Sequence, residues 1–303
     1  MARPLLLLLA YQQDNFIEAA ICGALNQDGP TIDILISDDA STDGTWEVIE
    51  QTVRNVATRH RVTLNRNARN LGLTGHLNAC MSQTDAQHVI VAAGDDISAP
   101  NRVEAIMACF AETDAVFVHS DVDAILANGK RAAPQHLGKL RETSDILRLA
   151  RSQGLYIGAT GAWDRVLFDR YGPLPDGVYE DLILGFRAAL EGRVGFVNAP
   201  LVQYRANVGM STESCLHRTE ADWRDDRMNT VERGLRTFQQ RARDATTAGH
   251  SEQSKLMKTL RHKVREYEAR ADILCSKHSA LKSVDHLRAW WSERKRAQRA
   301  AST

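Results

Sequence analysis

Two rhythms of apolar and polar positions run through the first half of the chain. Short continuous apolar runs stand at 5–10 (LLLLLA), 32–37, 62–65, 88–93 and 115–119. Runs this short, bounded by turn residues, are the pattern of strands buried on both faces. Between them, apolar residues recur at three and four spacing. Over 15–26 these are Phe16, Ala19, Ala20, Ala24 and Leu25, with Asp14 as the expected N-cap. Over 45–58 they are Trp46, Ile49, Val53 and Val56, and 75–82 and 102–111 predict two further helices. Strand and helix in alternation give an α/β fold: a mostly parallel sheet with helices on both faces. The run 5–10 is shorter than a signal-peptide core and far too short to span a bilayer, so a strand is expected there rather than a leader. The stretch Asn128-Gly129-Lys130 predicts a hairpin turn.

The rhythm changes twice. Residues 154–211 are richer in Gly, aromatics and turns (YIGATGAW, YGPLPDGVYEDLILGF, VQYRANVGMS), the composition of loops that shape a cleft. Residues 216–303 are polar, helical in pattern and free of Pro. There Leu260, Val264, Tyr267, Ala271, Leu274, His278 and Leu281 step by four and three, a heptad-like seam. The seam suits a coiled coil or helical hairpin, or equally an amphipathic helix folded back on the body. The first alternative carries an expectation of homo-oligomers through the helix at 256–281.

Composition adds little about class and more about charge. Of 303 residues, 43% are hydrophobic and 25% charged, an ordinary globular balance. The formal net charge is zero, which gives no whole-chain case for nucleic acid. Residues 1–211 hold 18 Lys and Arg against 25 Asp and Glu, and 212–303 hold 20 against 13. An acidic body therefore carries a basic tail. The tail ends LRAWWSERKRAQRA, where Leu287, Trp290 and Trp291 beside basic residues suit peripheral contact with an anionic membrane, or packing on protein. Cys22, Cys80, Cys109, Cys215 and Cys275 are scattered and odd in number, which excludes a disulfide framework and a zinc site and fits a reducing cytoplasm.

Ligands of such sheets bind beyond the carboxyl ends of the strands. Those ends carry Tyr11, Asp38 with Asp39, the stretch 65–69, Asp95 with Asp96, then Asp121 and Asp123. Adjacent Asp95 and Asp96 repel each other. They become tolerable around a divalent cation bound to a polyphosphate, and hard oxygen ligands suit Mg²⁺ or Mn²⁺. The plain alternative is a solvated turn capping the helix near Asn101. Asp38 and Asp39, in ILISDDASTDGT, suit either a nucleobase or ribose contact or loop chemistry. Glu180 and Asp181 open an apolar-faced helix, where the dipole favours acidic residues and keeps ionised a carboxylate that serves as a base. Arg205 suits a phosphate or a surface ion pair. GxGxxG and GxxxxGK[ST] are absent, which removes the dinucleotide fingerprint and the P-loop.

In this order, LLLLLAYQQDNFIEAAICGALNQ, ILISDDASTDGT, NLGLTGHLNAC, IVAAGDDISAP, YEDLILGFRAALEG and LVQYR resemble glycosyltransferase family 2 of the GT-A fold, over about 5–211. The resemblance implies an inverting transfer from a nucleotide-sugar, most commonly a UDP-sugar, to a glycan or lipid-linked acceptor, with Mn²⁺ or Mg²⁺. Bacterial surface polysaccharide or lipopolysaccharide synthesis at the inner membrane face is the implied setting. It implies that 1–211 is the catalytic domain, with a nucleotide-sugar half at 1–125 and an acceptor half at 126–211, and that 212–303 is a helical extension. Tyr11, Asp38, Asp39, Asn70, Asp95 and Arg205 fall in the nucleotide-sugar-binding set. Asp96, with Asp95, matches the metal-binding DXD-type motif, whose first position is Ala93 or Gly94. Asp181 matches the base of the family's ED motif, with Glu180 supporting it. Ala10 stands where many members carry Thr or Ser, and Asn207 near where many carry a His that ligates the metal. Two rivals compete with this resemblance. A sugar nucleotidyltransferase would show a Gly-rich, Lys/Arg-bearing loop after the first strand, which AYQQDN lacks. A non-catalytic scaffold would act through the helical tail.

Overall fold

The computed structural model describes residues 3–132, 145–152, 156–206, 220–275, 290, 292–293 and 296. Cys215, Asn207, His278, Leu281, Leu287 and Trp291 lie outside the described residues. The chain divides into two compact units: Met1–Asp145 with Gly154–Glu213, and Ile146–Gln153 with Ser214–Thr303.

The first unit is built on one eight-stranded sheet. Its strands are β1 (Leu5–Ala10), β2 (Asp33–Asp38), β3 (Arg61–Arg66), β4 (His88–Ala93), β5 (Ile97–Ser98), β6 (Phe117–Ile125), β7 (Ala162–Asp164) and β8 (Val194–Arg205). They lie in the order β3-β2-β1-β4-β7-β6-β8-β5. The block β3-β2-β1-β4 is parallel throughout, while β7 runs antiparallel between β4 and β6. All of β1 is buried, which is why its sequence shows no alternation. Leu6, Leu8, Ile34, Ile36 and Ile90 face α1 (Ile17–Leu25) and α4 (Arg102–Glu112), which bring Ile17, Ile21, Val103 and Ile106 into one apolar cluster; α2 (Thr45–Asn55) adds Ile49. α3 (Gly72–Ser82) covers the opposite face, where His76 touches Ser37 of β2. A Leu→Ala change in this cluster is expected to cost about 2–5 kcal/mol.

Several boundaries differ from the sequence pattern. Asp14 is not the cap of α1: the N-cap is Phe16, without a side-chain bond, and Asp14 accepts instead from Asn15 Nδ2 at 2.6 Å. β6 runs to Ile125, so Asp121 and Asp123 lie inside a strand rather than beyond one, and Asp123 pairs with Arg131 at 3.1 Å. The turn at 128–130 is present, closed by Leu126 N donating to Lys130 O. The stretch 154–211 holds more than loops. It contributes β7, β8, α6 (Val166–Tyr171) and α7 (Glu180–Leu190), with α5 (Ile146–Leu149) preceding it. β8 was obscured by Pro200, which interrupts a strand pattern because it cannot donate to a ladder. It sits opposite Asp121, where the register with β6 shifts, the kind of bulge that tolerates proline.

The second unit is a helical hairpin of α8 (Glu220–Thr247) and α9 (Lys255–Cys275). Leu260, Tyr267 and Leu274 of the heptad-like seam are buried, and Tyr267 meets Phe238 of α8 with ring centroids 5.1 Å apart. Over its described part, Leu260 to Leu274, the seam belongs to a helix that packs against α8 as a hairpin does. Buried Arg241 donates to Leu149 O and Ser152 O at 3.0 and 2.7 Å. Glu293 takes a two-pronged bond from Arg227 at 2.6 and 2.9 Å, with Arg296 on its other side. Among the described residues, no helix is long and apolar enough to cross a membrane.

Candidate active site

The parallel block brings the carboxyl ends of β1, β2, β3 and β4 to one edge. Tyr11 follows β1 and is 39% exposed. Gln12 and Ala40, at φ 54° and 59°, are the described non-glycine residues with left-handed backbone, and both lie in loops at this edge. Such backbone costs energy and persists where its surroundings hold it. Here Gln12 Oε1 accepts from Thr42 N and Asp43 N at 3.0 and 3.1 Å, stitching the loop after β1 to the loop after β2.

Asp38 is held by donors of the protein itself. It is fully buried, accepting from Ser41 N at 3.0 Å and from the Ser41 hydroxyl, with Arg66 Nε at 3.3 Å. Those bonds close the loop that follows it. Asp39 has only 2% exposure and accepts from Asn67 Nδ2 at 2.7 Å, Leu71 N at 2.9 and 3.1 Å, and Gly72 N at 2.9 Å. It anchors the loop 65–71 and the start of α3. Asn70 is exposed beside it, its Oδ1 accepting from Gly72 N at 2.7 Å.

The loop after β4 has a different character. Gly94 N donates to Leu9 O at 2.9 Å, which carries the β1–β4 ladder to the mouth of the strand. A Cβ at Gly94 would overlap Gln13 Oε1 and lie 2.9 Å from Ile17 Cδ1. Glycine there lets Gln13 reach Asp95 and hydrogen-bond its carboxyl group. Asp96 is 5% exposed, and its Oδ1 accepts from Arg205 N at 2.7 Å. Burial, then the neighbouring Asp95 charge, pushes the Asp96 carboxyl up to about 8. Burial raises Asp95 as well. Neither caps the helix near Asn101, whose N-cap makes no side-chain bond.

Arg205 departs from expectation. Its guanidinium is turned into the protein, donating to Asp95 O at 2.8 Å, Leu126 O at 3.0 Å and Ala127 O at 2.9 Å, and it lies 4.6 Å over the Phe16 ring. It braces the acidic loop from behind instead of presenting a cation to phosphate. A second arginine was missed altogether. Arg102 is fully buried behind Asp96, donating to Val91 O at 2.6 Å, Ser98 Oγ at 2.9 Å and Ala159 O at 2.7 Å. Its only sequence signal was a cation at the start of an apolar helix, where the dipole disfavours it.

Ala159 leads to the other acidic pair. It lies in the short turn Gly158–Thr160, and Gly158 has no Cβ because Glu180 Oε1 occupies that space. Glu180 is buried at the start of α7 and accepts from the backbone N–H groups of Glu180 and Asp181; burial still raises its pKa. Asp181 is half-buried beside it. Arg102 and the turn 158–160 thus join the Asp95–Asp96 loop to the Glu180–Asp181 helix.

Two carboxylates, Asp96 buried and Asp95 partly so, fit a small divalent cation that takes its other ligands from water and phosphate. Among the described residues, no cluster of three His, Cys, Asp or Glu could complete an all-protein site. Asn207, near the expected third ligand, lies outside the described residues.

Comparisons with known proteins agree on one family. The model of "Glycosyl transferase family 2" matches residues 6–172, more than half of the chain. EpsE of Bacillus subtilis, named as a glycosyltransferase, is 31% identical over 94 residues, covering 31% of this chain and 33% of its own. This chain therefore spans about a third of that relative. An uncharacterised glycosyltransferase of Nostoc sp. is 24% identical over 221 residues, covering 70% and 68%. Among solved structures, S. aureus TarS 1–349 in complex with UDP-GlcNAc has a TM-score of 0.58 at 16% identity, covering 90% of this chain and 82% of that one. The Pyrobaculum calidifontis mannosyltransferase PcManGT, in complex with GDP-Man and Mn²⁺, has a TM-score of 0.54 at 16% identity, covering 99% and 80%. At such identities the likeness establishes the fold, which is GT-A.

Proposed function

The chain belongs to glycosyltransferase family 2, and from that premise we propose that it moves a sugar from a UDP-sugar to a hydroxyl of a glycan or lipid-linked acceptor, with inversion. The observation that carries this reading is the pair Asp95–Asp96 at the end of β4, with Asp96 buried and its carboxyl raised to about 8, at the same sheet edge as Tyr11 and Asp39 and braced through Arg102 to the turn beside the helix of Asp181. Asp96 and Asp95 would hold Mn²⁺ or Mg²⁺, which supplies positive charge against the departing diphosphate. A neighbour of the same fold binds Mn²⁺ with its nucleotide-sugar, which supports that choice.

Tyr11 offers an aromatic face to the base, and Asp39 an acceptor to its N–H or to the ribose. The acceptor oxygen attacks the anomeric carbon as the bond from that carbon to the diphosphate oxygen breaks. The acceptor proton passes to Asp181, held at the N-terminus of α7, where the dipole favours its ionised form. Glu180 packs against Gly158 and fixes that end of the helix. Surface polysaccharide or glycolipid assembly on the cytoplasmic side of a membrane is the setting we favour.

The test is a thermal-shift series with nucleoside diphosphates, with and without Mn²⁺, on the wild type and Asp96→Ala, followed by UDP release from UDP-sugars. A ligand that binds the native state raises its melting temperature. The expected result is a Mn²⁺-dependent shift with UDP that Asp96→Ala abolishes. Asp181→Asn should lower kcat by about 10²–10⁴-fold while leaving UDP binding intact. A shift of the same size in Asp96→Ala, or full turnover in Asp181→Asn, overturns the assignment.

A further inference from the structure

Beneath the carboxyl end of β2, five polar side chains make one unbroken hydrogen-bonded chain. His76 Nε2 of α3 meets Ser37 Oγ at 2.6 Å. Asn65 Nδ2 donates to Ser37 Oγ at 2.8 Å and to Asn67 Oδ1 at 3.1 Å. Asn67 Nδ2 donates to Asp39 Oδ1 at 2.7 Å. His76 and Ser37 are 3% and 0% exposed.

Chemistry fixes the direction of the bonds at the carboxylate end. An ionised carboxylate only accepts, so Asn67 turns its NH₂ toward Asp39. Its oxygen then needs a donor, which is the Asn65 amide. That amide also fills one acceptor site of Ser37, whose hydroxyl meets His76 Nε2 and also Cys80. Burial lowers the His76 pKa, which favours the neutral ring. The chain also closes on itself. Asp39 accepts from Leu71 N and Gly72 N at the start of α3, the helix that carries His76. The carboxylate is therefore tied to α3 twice, directly at its start and through the side-chain relay at His76.

Asp39 offers about four acceptor directions, and Asn67, Leu71 and Gly72 hold them between them, Leu71 N being shared by Oδ1 at 2.9 Å and Oδ2 at 3.1 Å. The shared direction on Oδ2, the longer of the two, is the one a ligand donor would take. Burying this many polar groups is costly, and packing alone would be served by apolar side chains. We propose that His76, Ser37, Asn65 and Asn67 are positioning residues that aim the Asp39 carboxylate at the N–H or O–H of the donor nucleotide. The proposal rests on the assignment of Asp39 as a nucleotide contact made above.

The test titrates UDP and GDP, each with Mn²⁺, into the wild type, Asp39→Asn, His76→Leu, His76→Gln, Asn67→Ala and the double variant His76→Leu/Asp39→Asn. Circular dichroism and melting temperature are followed throughout. His76→Leu and Asn67→Ala should each weaken the bound nucleotide about tenfold, the equivalent of one hydrogen bond. The loss should fall on the donor KM rather than kcat. His76→Gln keeps a polar atom near the Nε2 position and should restore most of the affinity. In the Asp39→Asn background, His76→Leu should cost no further affinity, because coupled residues do not add. If His76→Leu fails to fold, Asn67→Ala, at the half-exposed end, carries the same test. The relay is refuted if Asp39→Asn weakens binding and the other variants do not, or if the His76 and Asp39 losses add in full. If Asp39→Asn binds as the wild type does, the Asp39 contact fails and takes the relay with it. If neither nucleotide binds the wild type, the donor site itself is wrong.

Discussion

Asp38-Asp39 and Asp95-Asp96 are the same dipeptide at the carboxyl ends of two parallel strands, β2 and β4, which flank β1 in one sheet. Their surroundings differ completely. Around Asp38 and Asp39 the protein supplies the donors itself: Ser41, Arg66, Asn67, Leu71 and Gly72. Around Asp96 it supplies one backbone N–H, and the carboxyl is pushed up to about 8. The nearest cations, Arg102 and Arg205, direct hydrogen bonds to carbonyl oxygens of the chain instead. The first pair is finished by folding and the second is left short of charge. The second is therefore where a cation and a diphosphate have most to contribute, and the first is where a ligand must be met by precise aim.

The sharpest way to break this contrast is to remove one charge from each pair. Asp96→Asn should abolish Mn²⁺-dependent nucleotide binding and lower turnover by about 10³-fold, the scale of losing a preorganised electrostatic group. The same change should leave the apo protein as stable as before or more stable at pH 8.5, since it removes a poorly solvated charge. Asp38→Asn should do the opposite to stability. It leaves Ser41 and Arg66 facing an amide and should cost about 2–4 kcal/mol in urea unfolding. If Asp96→Asn melts far below the wild type, Asp96 is a folding residue and the contrast is wrong.

A smaller effect lies in pH. The folded-state pKa of Asp96 is raised to about 8, above the unfolded value near 3.8. Its contribution to stability is therefore fully present below about 3.8 and is lost as pH rises through 8. Apo stability should decline across that window. Mn²⁺ displaces the proton, so its affinity should rise with pH, approaching tenfold per unit below 8 and levelling above it. Titrating Mn²⁺ at pH 6.5, 7.5 and 8.5 reads this directly. In Asp96→Asn the slope should vanish, whereas a change confined to the first pair should leave it.

The contrast between the two pairs was not legible in the sequence, although the pairs themselves were. Short apolar runs placed β1 and β4 correctly because both faces of those strands are buried, and a run of Leu or Val has few other uses. Burial of a carboxylate depends on what other elements bring to it. Asp38 is hidden by Ser41 from its own loop and by Arg66 from the adjacent strand, but Asp96 is set by Arg205, which lies 109 residues away. Arg205 was read as a cation for phosphate or a surface ion pair because its three carbonyl partners are backbone atoms, which side-chain patterns do not announce. Gln12 and Gln13 were passed over for the same reason, since each works by reaching an adjacent loop. β8 was lost to Pro200, whose bulge only a partner strand reveals.

The smallest test asks which donors finish the first pair. Arg66 approaches Asp38 at 3.3 Å, but its side chain is 40% exposed. It also donates to Ser41 O at 2.9 Å and lies 5.5 Å over the Trp46 ring. Exposed pairs contribute about 0–1 kcal/mol, because water and salt screen them. The Ser41 donors are buried with Asp38 and are fixed by the loop itself. Arg66→Ala should therefore cost at most about 1 kcal/mol, less in 0.5 M NaCl, and leave nucleotide affinity unchanged. Ser41→Ala should cost more and should not depend on salt. The reverse ranking would mean that the first pair, too, is held by long-range charge, and its difference from Asp95-Asp96 would be one of degree.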